Sequence, residues 1–290
     1  MREFDLIEPT RLEDACALLA TGDDAKPVAG GTALLTIIKQ GLLLPKLLVN
    51  LKKIHDASAI TFDPSTGLRI GALATINEIE SSALVIQHYH ALAEACHMVA
   101  NIRIRNMATI GGNLAHADYQ SDPPTVLIAL DANVEIIGPT GSRGMKLTEF
   151  QLGSYETALA PGELISAVAI PPMPHGMTGH YVKFTTGSSE ERPCAGIAAL
   201  ACTEDGICRE LRLAVGAVSP RPVRISAAEE AARDMILTDA LIERIATDAA
   251  RCVDPIEDIR GPADYKRHLV GVLARRAITA IANGARGTMT

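Results

Sequence analysis

Two diglycine segments constrain this chain more than any other feature: Ala29-Gly30-Gly31-Thr32 and Thr109-Ile110-Gly111-Gly112-Asn113. They lie a small domain's length apart, and each follows an apolar or β-branched approach. Glycine admits positive φ and places no Cβ between backbone and ligand, so successive N–H groups can converge on phosphate oxygens. One such segment by itself is an ordinary turn between strand and helix. Two of matching chemistry predict one anion cradle in two halves, with a dinucleotide held between lobes.

The rest of the chain bounds what can carry such a cradle. With 290 residues and 48% hydrophobic content there is material for two or three packed subdomains, and a net charge of -7 offers nucleic acid or anionic lipid no attraction. No apolar run reaches the roughly 18 residues of a membrane span, and Met1-Arg2-Glu3-Phe4-Asp5 shows no charged leader before an apolar core. A soluble, cytoplasmic protein is the expectation. The six cysteines, at 16, 96, 194, 202, 208 and 252, form no C-x-x-C and no paired spacing suited to zinc or iron–sulfur clusters. They read as reduced small hydrophobes, and any cluster belongs to another chain. Tryptophan is absent, and five tyrosines and four phenylalanines are too few for base-stacking platforms. Alanine, leucine, isoleucine and valine are left to fill the cores.

Thr10-Arg11-Leu12-Glu13 has capping-box spacing, which predicts a helix to Ala20 stopped by Gly22-Asp23-Asp24. Lys26-Pro27-Val28-Ala29 leads as a strand into the first diglycine, and a helix follows that closes at Gly41. The strand Leu47-Leu48-Val49-Asn50-Leu51 completes a first lobe. Further on, Leu68-Arg69-Ile70-Gly71-Ala72 reads as a strand, and Thr75-Ile76-Asn77-Glu78 is a second capping box. One helix is expected over 84–99, before Asn101 to Asn106 leads into the second diglycine. The apolar segments 126–130, 134–137 and 164–170 read as strands of a larger α+β lobe. Pro171-Pro172-Met173-Pro174-His175-Gly176 marks a boundary. Beyond it, Asp205-Gly206 predicts a hairpin between strands 195–203 and 208–218, followed by helices over 226–236, 238–252 and 263–283. The expected units are 1–56, 57–176 and 177–290, and the strands-then-helices order of the last is that of an α+β domain.

Other constellations carry less. His116 with Asp118, and His88 with His90, have ligand-like spacing but no third partner, so they read as surface or packed histidines. No Gly-x-Ser-x-Gly supports hydrolysis. Tyr265, Leu269, Val272, Leu273 and Ala277 mark an apolar helix face. The basic residues Lys266-Arg267-His268 and Arg275-Arg276 read as a solvated face of that helix, with an intersubunit ion-pair surface as the alternative.

Several stretches together resemble one family. They are Pro27 to Leu35 around the first diglycine, Leu68 to Ala72, Ile104-Arg105-Asn106 running into Thr109 to Leu114, and Tyr265-Lys266-Arg267-His268-Leu269. In order and spacing the whole chain is similar to the FAD-binding medium subunit of the molybdenum hydroxylases, a group that includes bacterial carbon monoxide dehydrogenase and xanthine dehydrogenase. The resemblance implies an α+β fold, a two-lobed FAD-binding domain of the vanillyl-alcohol-oxidase-like type followed by a small C-terminal α+β domain. It implies that Ala29, Gly30, Gly31, Thr32, Ala33 and Leu34 wrap the FAD pyrophosphate, and that Thr109, Gly111, Gly112 and Asn113 meet it from the other lobe. Asp122 falls where the family places a carboxylate toward ribityl or adenosine hydroxyls, and Leu164, Ile165 and Lys183 fall near positions that contact flavin or adenine. Paired nests of N–H groups would neutralise the pyrophosphate without a lysine, consistent with the absence of Gly-Lys-Ser/Thr after either loop. The chain departs from the family at Thr185-Thr186-Gly187-Ser188-Ser189-Glu190-Glu191, where many relatives carry an arginine pair and then an aspartate.

The implied role is electron transfer. A molybdopterin-binding large subunit and a small subunit with [2Fe-2S] clusters would be the partners, in a dimer of heterotrimers. FAD would be bound non-covalently, with no catalytic side chain and no metal ligand on this chain. The alternatives are a self-contained FAD-dependent oxidase or reductase and a flavin-free assembly protein.

Overall fold

The computed structural model describes residues 3–22 and 24–287. Met1, Arg2 and Asp23, which enter the readings of the N-terminus and the first helix stop, lie outside the described residues. Asp5–Ile7 (β1), Leu12–Leu19 (α1), Ala25–Val28 (β2), Leu34–Lys39 (α2) and Leu47–Asn50 (β3) build the first unit, a parallel sheet in the order β1-β3-β2. The helix α2 serves as the crossover that parallel pairing of β2 with β3 requires. The capping box at Thr10 does not form. Arg11 is the N-cap of α1 without a side-chain bond, and Glu13 instead accepts from the Arg11 guanidinium at 3.3 Å.

The second unit comprises Ile60–Asp63 (β4), Gly67–Gly71 (β5), Ile76–Ser81 (α3), Ala83–His88 (α4), His90–His97 (α5), Ile102–Arg105 (α6), Ile110–His116 (α7) and Pro123–Ala129 (α8). It continues through Asn133–Gly138 (β6), Gly141–Lys146 (β7), Leu147–Phe150 (α9), Gln151–Gly153 (β8), Glu156–Thr157 (β9) and Leu164–Ile170 (β10). An antiparallel sheet runs β4-β5-β10-β6-β7. The box at Thr75 is complete, with Glu78 N donating to Thr75 Oγ1 at 3.2 Å and Thr75 N donating to Glu78 Oε2 at 2.7 Å. Two sequence expectations fail here. The single helix over 84–99 is broken at Tyr89, which takes φ -141 and ψ 49 and buries its ring, its hydroxyl donating to Pro171 O at 3.0 Å. The segment 126–130 belongs to the helix α8. Pro123 and Pro124 occupy its first turn, where a missing N–H is harmless, and all its residues are buried, so no amphipathic period distinguishes it from a core strand.

Met177–Phe184 (β11), Ala195–Glu204 (β12), Ile207–Gly216 (β13), Val223–Arg224 (β14), Ser226–Ala232 (α10), Met235–Ile236 (β15), Asp239–Arg251 (α11) and Ala263–Gly287 (α12) follow. Asp205 at φ 51 and Gly206 at φ 77 make the hairpin turn between β12 and β13, as both central residues of such a turn need positive φ. The helix expected over 226–236 stops at Ala232, and β15 pairs with β13. Along β12 the side chains alternate between two cores. Ala195, Ile197, Ala199 and Ala201 pack toward α10, α11 and α12, while Ala198 and Leu200 join the core of the second unit. Both faces of the sheet are covered, which accounts for the unbroken small-aliphatic run.

Lys266 corrects the reading of the C-terminal helix. Its side chain is 0% exposed, and Nζ donates to Ile256 O at 2.7 Å and pairs with Asp258 Oδ1 at 2.8 Å. Asp258 also accepts from Tyr119 and Gln120 of the second unit, each at 3.0 Å. Arg267, by contrast, lies on the solvated face with Asp264. A second buried tie joins the units where Lys183 Nζ on β11 meets Asp122 Oδ2 at 3.1 Å and Met98 O at 2.7 Å, and Tyr181 OH donates to Asp122 Oδ1 at 2.8 Å.

Two outcomes follow from these ties. Lys266→Met should cost about 3 kcal/mol in denaturant unfolding because it strands a partly buried carboxylate, whereas Arg267→Met should cost less than about 0.5 kcal/mol. Burial pushes Asp122 up to about 6, against the opposing pull of Lys183 and Tyr181. Above the unfolded value of about 3.9 the native state keeps a proton that the unfolded chain has released, so this group's contribution falls as pH rises through that window. Wild type should therefore lose roughly 2 to 3 kcal/mol relative to Asp122→Asn between pH 4 and 7, read from urea unfolding at each pH.

Candidate functional site

The first diglycine joins β2 to α2. Gly31 takes φ +73, and its carbonyl accepts Leu35 N at 3.0 Å, which turns the chain into the helix. Gly30 meets the second unit, where a Cβ would stand 1.9 Å from Met107 O and 2.9 Å from Ala108 Cα. Among the described residues no acceptor takes the N–H groups of Gly30, Gly31, Thr32 or Ala33. They form a concave run of uncommitted donors, the arrangement that binds phosphate.

The second diglycine differs, and the expectation of an amide nest on both sides is corrected. Thr109 is the N-cap of α7, and its Oγ1 accepts Gly112 N at 3.1 Å. Ile110 N donates to Ala74 O at 3.0 Å, Gly111 N to Ala72 O at 2.8 Å and Asn113 N to Thr109 O at 2.9 Å. A capped first turn spends its amides internally. What these glycines supply is proximity, since a Cβ on Gly111 would lie 2.6 Å from Ala72 Cβ. Asn113 Oδ1 accepts from Ser121 at 2.9 Å, and Asn113 is among the residues that line the cleft.

A cleft of about 320 Å³ lies between the two loops. Of the residues expected at the site, Ala29, Gly30, Gly31, Thr32, Ala33, Leu34, Thr109, Gly111, Gly112, Asn113, Leu164 and Ile165 line it. Asp122 and Lys183 do not; they are committed to each other behind the wall, one residue past the Asn113–Ser121 bond. Sequence reasoning missed Lys26, the one lysine or arginine among the lining residues, although it stands two positions ahead of Val28 on the approach strand. It also missed Glu163 and His116 as lining groups. Glu163 is held below the usual carboxylate range by its hydrogen bonds from Arg143. Burial pushes His116 below the usual histidine range, with Arg192 adding to the effect and Asp118 opposing it. Leu34, Ile37, Leu51, Leu73, Leu164 and Ile165 supply apolar walls. Uncommitted amides, a lysine and apolar flanks suit a large anion with flat apolar ends, and the residues present therefore fit a dinucleotide cofactor.

Comparison with known proteins agrees. The family model described as "FAD binding domain in molybdopterin dehydrogenase" matches residues 2–173, and that of "CO dehydrogenase flavoprotein C-terminal domain" matches residues 184–281. The chain is 31% identical over 286 residues to the 6-hydroxypseudooxynicotine dehydrogenase complex subunit alpha of Paenarthrobacter nicotinovorans, covering 98% of this chain and 96% of that one. It is 33% identical to the carbon monoxide dehydrogenase medium chain of Afipia carboxidovorans, over 95% of each. Among solved structures, a chain of carbon monoxide dehydrogenase from Hydrogenophaga pseudoflava superposes with a TM-score of 0.92 at 33% identity, covering 96% of this chain and 97% of that one. A chain of quinoline 2-oxidoreductase from Pseudomonas putida 86 gives 0.93 at 27%, covering 98% of both. The chain thus belongs to the FAD-binding medium subunits of the molybdenum hydroxylases, flavoprotein components of multi-subunit oxidoreductases such as carbon monoxide dehydrogenase and xanthine dehydrogenase.

Proposed function

We propose that this subunit receives electrons from [2Fe-2S] clusters of a small partner subunit and passes them, through FAD held in the cleft, to an external acceptor. A molybdopterin-binding large subunit would oxidise the organic substrate, in a cytoplasmic dimer of heterotrimers. The observation that carries this reading is the cleft itself, which offers amide donors, Lys26 and apolar walls but no free acid–base pair. FAD when bound supplies one- and two-electron transfer, and the protein supplies binding, orientation and local charge. We assign the pyrophosphate to the N–H groups of Gly30 to Ala33, with Lys26, the Thr32 hydroxyl and the Asn113 side-chain amide as further donors. Leu164 and Ile165 would flank a ring of the cofactor. Asp122 and Lys183 would brace the wall behind it and hold β11 in place. We also take residues 1–56, 57–176 and 177–290 as the working units of the subunit.

The departure at 185–191 bears on the acceptor. Glu190 accepts from Asn101 at 3.1 Å, and Arg192 pairs with Asp118 at 2.7 Å, next to His116 of the cleft wall. An acidic pair where many relatives carry arginines would lower the local potential for anionic acceptors. No described helix is long and apolar enough to cross a membrane.

The full-length chain, purified alone, should be yellow, release about one FAD per chain on denaturation and lack hydroxylase activity without partners. A folded chain that takes up no FAD overturns the reading, and hydroxylation by the chain alone would favour a self-contained enzyme. Gly31→Val places a Cβ 2.9 Å from Leu35 Cδ1 at a positive φ, so FAD retention on gel filtration should fall at least about tenfold while far-ultraviolet dichroism is kept. Lys26→Met should weaken FAD several-fold and flatten the salt dependence of its binding.

A further inference from the structure

Beside His116 of the cleft wall two left-handed residues are bonded to each other. Ala117, at φ 47, ends α7, and its carbonyl accepts the N–H of Tyr155, at φ 61, at 2.8 Å. The other non-glycine residues with positive φ among those described are alanines and aspartates. Aspartate tolerates that conformation through its short polar side chain, and alanine has little bulk to clash. Tyr155 is the bulky exception, and a bulky residue held there is strained.

The strain fixes the position of a ring. The Tyr155 ring lies 5.2 Å from that of His116, tilted by 54°, and its hydroxyl faces the carboxylate of Asp118, which Arg192 holds at 2.7 Å. His116 lines the cleft, whereas Tyr155 stands just beyond it. With 59% of the residue exposed, most of the ring has no protein neighbour. An aromatic ring braced on one side by an imidazole and open on the other is a ready surface for a second flat ring. Local strain that packing alone does not repay points to a functional contact.

We propose that Tyr155 is a cofactor-contact residue: the open face of its ring covers the part of the FAD ring system that emerges from the cleft past His116. This rests on the FAD reading above. The contact would hold the ring plane and shield one face from solvent, in a place where tight binding through the pyrophosphate alone would leave the ring free to swing.

Fluorescence of bound FAD separates this from a structural role. A phenol in contact with a flavin quenches its emission, whereas phenylalanine keeps the shape and is a poor quencher. In the full-length chain loaded with FAD, Tyr155→Phe should raise emission per bound FAD several-fold, and Tyr155→Trp should stay dark. Tyr155→Gly, which relieves the backbone strain, should raise the melting temperature of the FAD-free chain and loosen FAD several-fold. Emission from Tyr155→Phe as low as wild type, or a Tyr155→Gly chain that holds FAD as tightly as wild type, overturns the proposal while leaving the FAD reading intact. A wild-type chain that binds no FAD is a distinct result, which removes that reading and this contact together.

Discussion

Backbone meets backbone at Gly30 with no Cβ between, and the cleft takes its shape from that contact. The segment Gly30 rests on is pinned from behind: Met107 N and Ala108 N donate to Ile104 O at 3.0 and 2.8 Å, Ile76 N to Ala108 O at 2.8 Å, and Ile110 N to Ala74 O at 3.0 Å. It cannot yield to a side chain without breaking these hydrogen bonds. The first unit therefore docks against a rigid ledge, and its uncommitted amides are presented at one place relative to Asn113 and the apolar wall. The two glycine segments look alike in sequence yet divide the work, one offering donors and the other offering a surface that can be approached closely.

The third unit is fastened to this frame by polar ties set among small aliphatic side chains. Cores filled by alanine and the branched aliphatics pack without large aromatic anchors, so register across the seam depends on directional contacts. Asp122 with Lys183 and Tyr181, and Asp258 with Lys266, Tyr119 and Gln120, supply them. Each pairs a buried lysine with a carboxylate, buried at Asp122 and partly buried at Asp258, so losing one partner strands a charge and makes slippage of β11 or α12 costly. Both carboxylates reach across the seam, Asp122 from the second unit to β11 and Asp258 from the third unit to residues 119 and 120.

Much of this was legible in the residues. The strand, glycine and helix succession around Gly30, the box at Thr75 and the hairpin at Asp205-Gly206 are local chemistry with one favourable outcome, and they appear as read. What failed depended on tertiary context. Segment 126–130 has no polar face to reveal its period, because β12 and β13 cover it. Tyr89 breaks a helix to reach Pro171, a partner distant in sequence. Lys266 sits in a basic run that looks solvated, and only the fold brings Asp258 to it. At the site, twelve of the expected residues line the cleft, while the positions of Asp122 and Lys183 were set by a mutual attraction that no spacing rule encodes. Tyr155 carried no motif at all; its backbone angle gave it away.

The charges around the cleft fit a flavoprotein subunit that carries little reactive chemistry of its own. Glu163 is neutralised by Arg143, Asp118 by Arg192 and Asp122 by Lys183, while burial disfavours the charged form of His116. Each of these carboxylates is compensated by a cation, while among the described residues no acceptor takes the amides of the first loop, and Lys26 lines the cleft beside them. The pairing commits each of these carboxylates to a structural partner, and Asp122, the one pushed up to about 6, stands outside the cleft lining, so none of the three serves the site as a free general acid or base. Binding and reactivity are thereby separated: the carboxylates around the cleft are held in ion pairs that brace its walls, and redox chemistry is left to a flavin, for which the protein supplies binding, orientation and local charge.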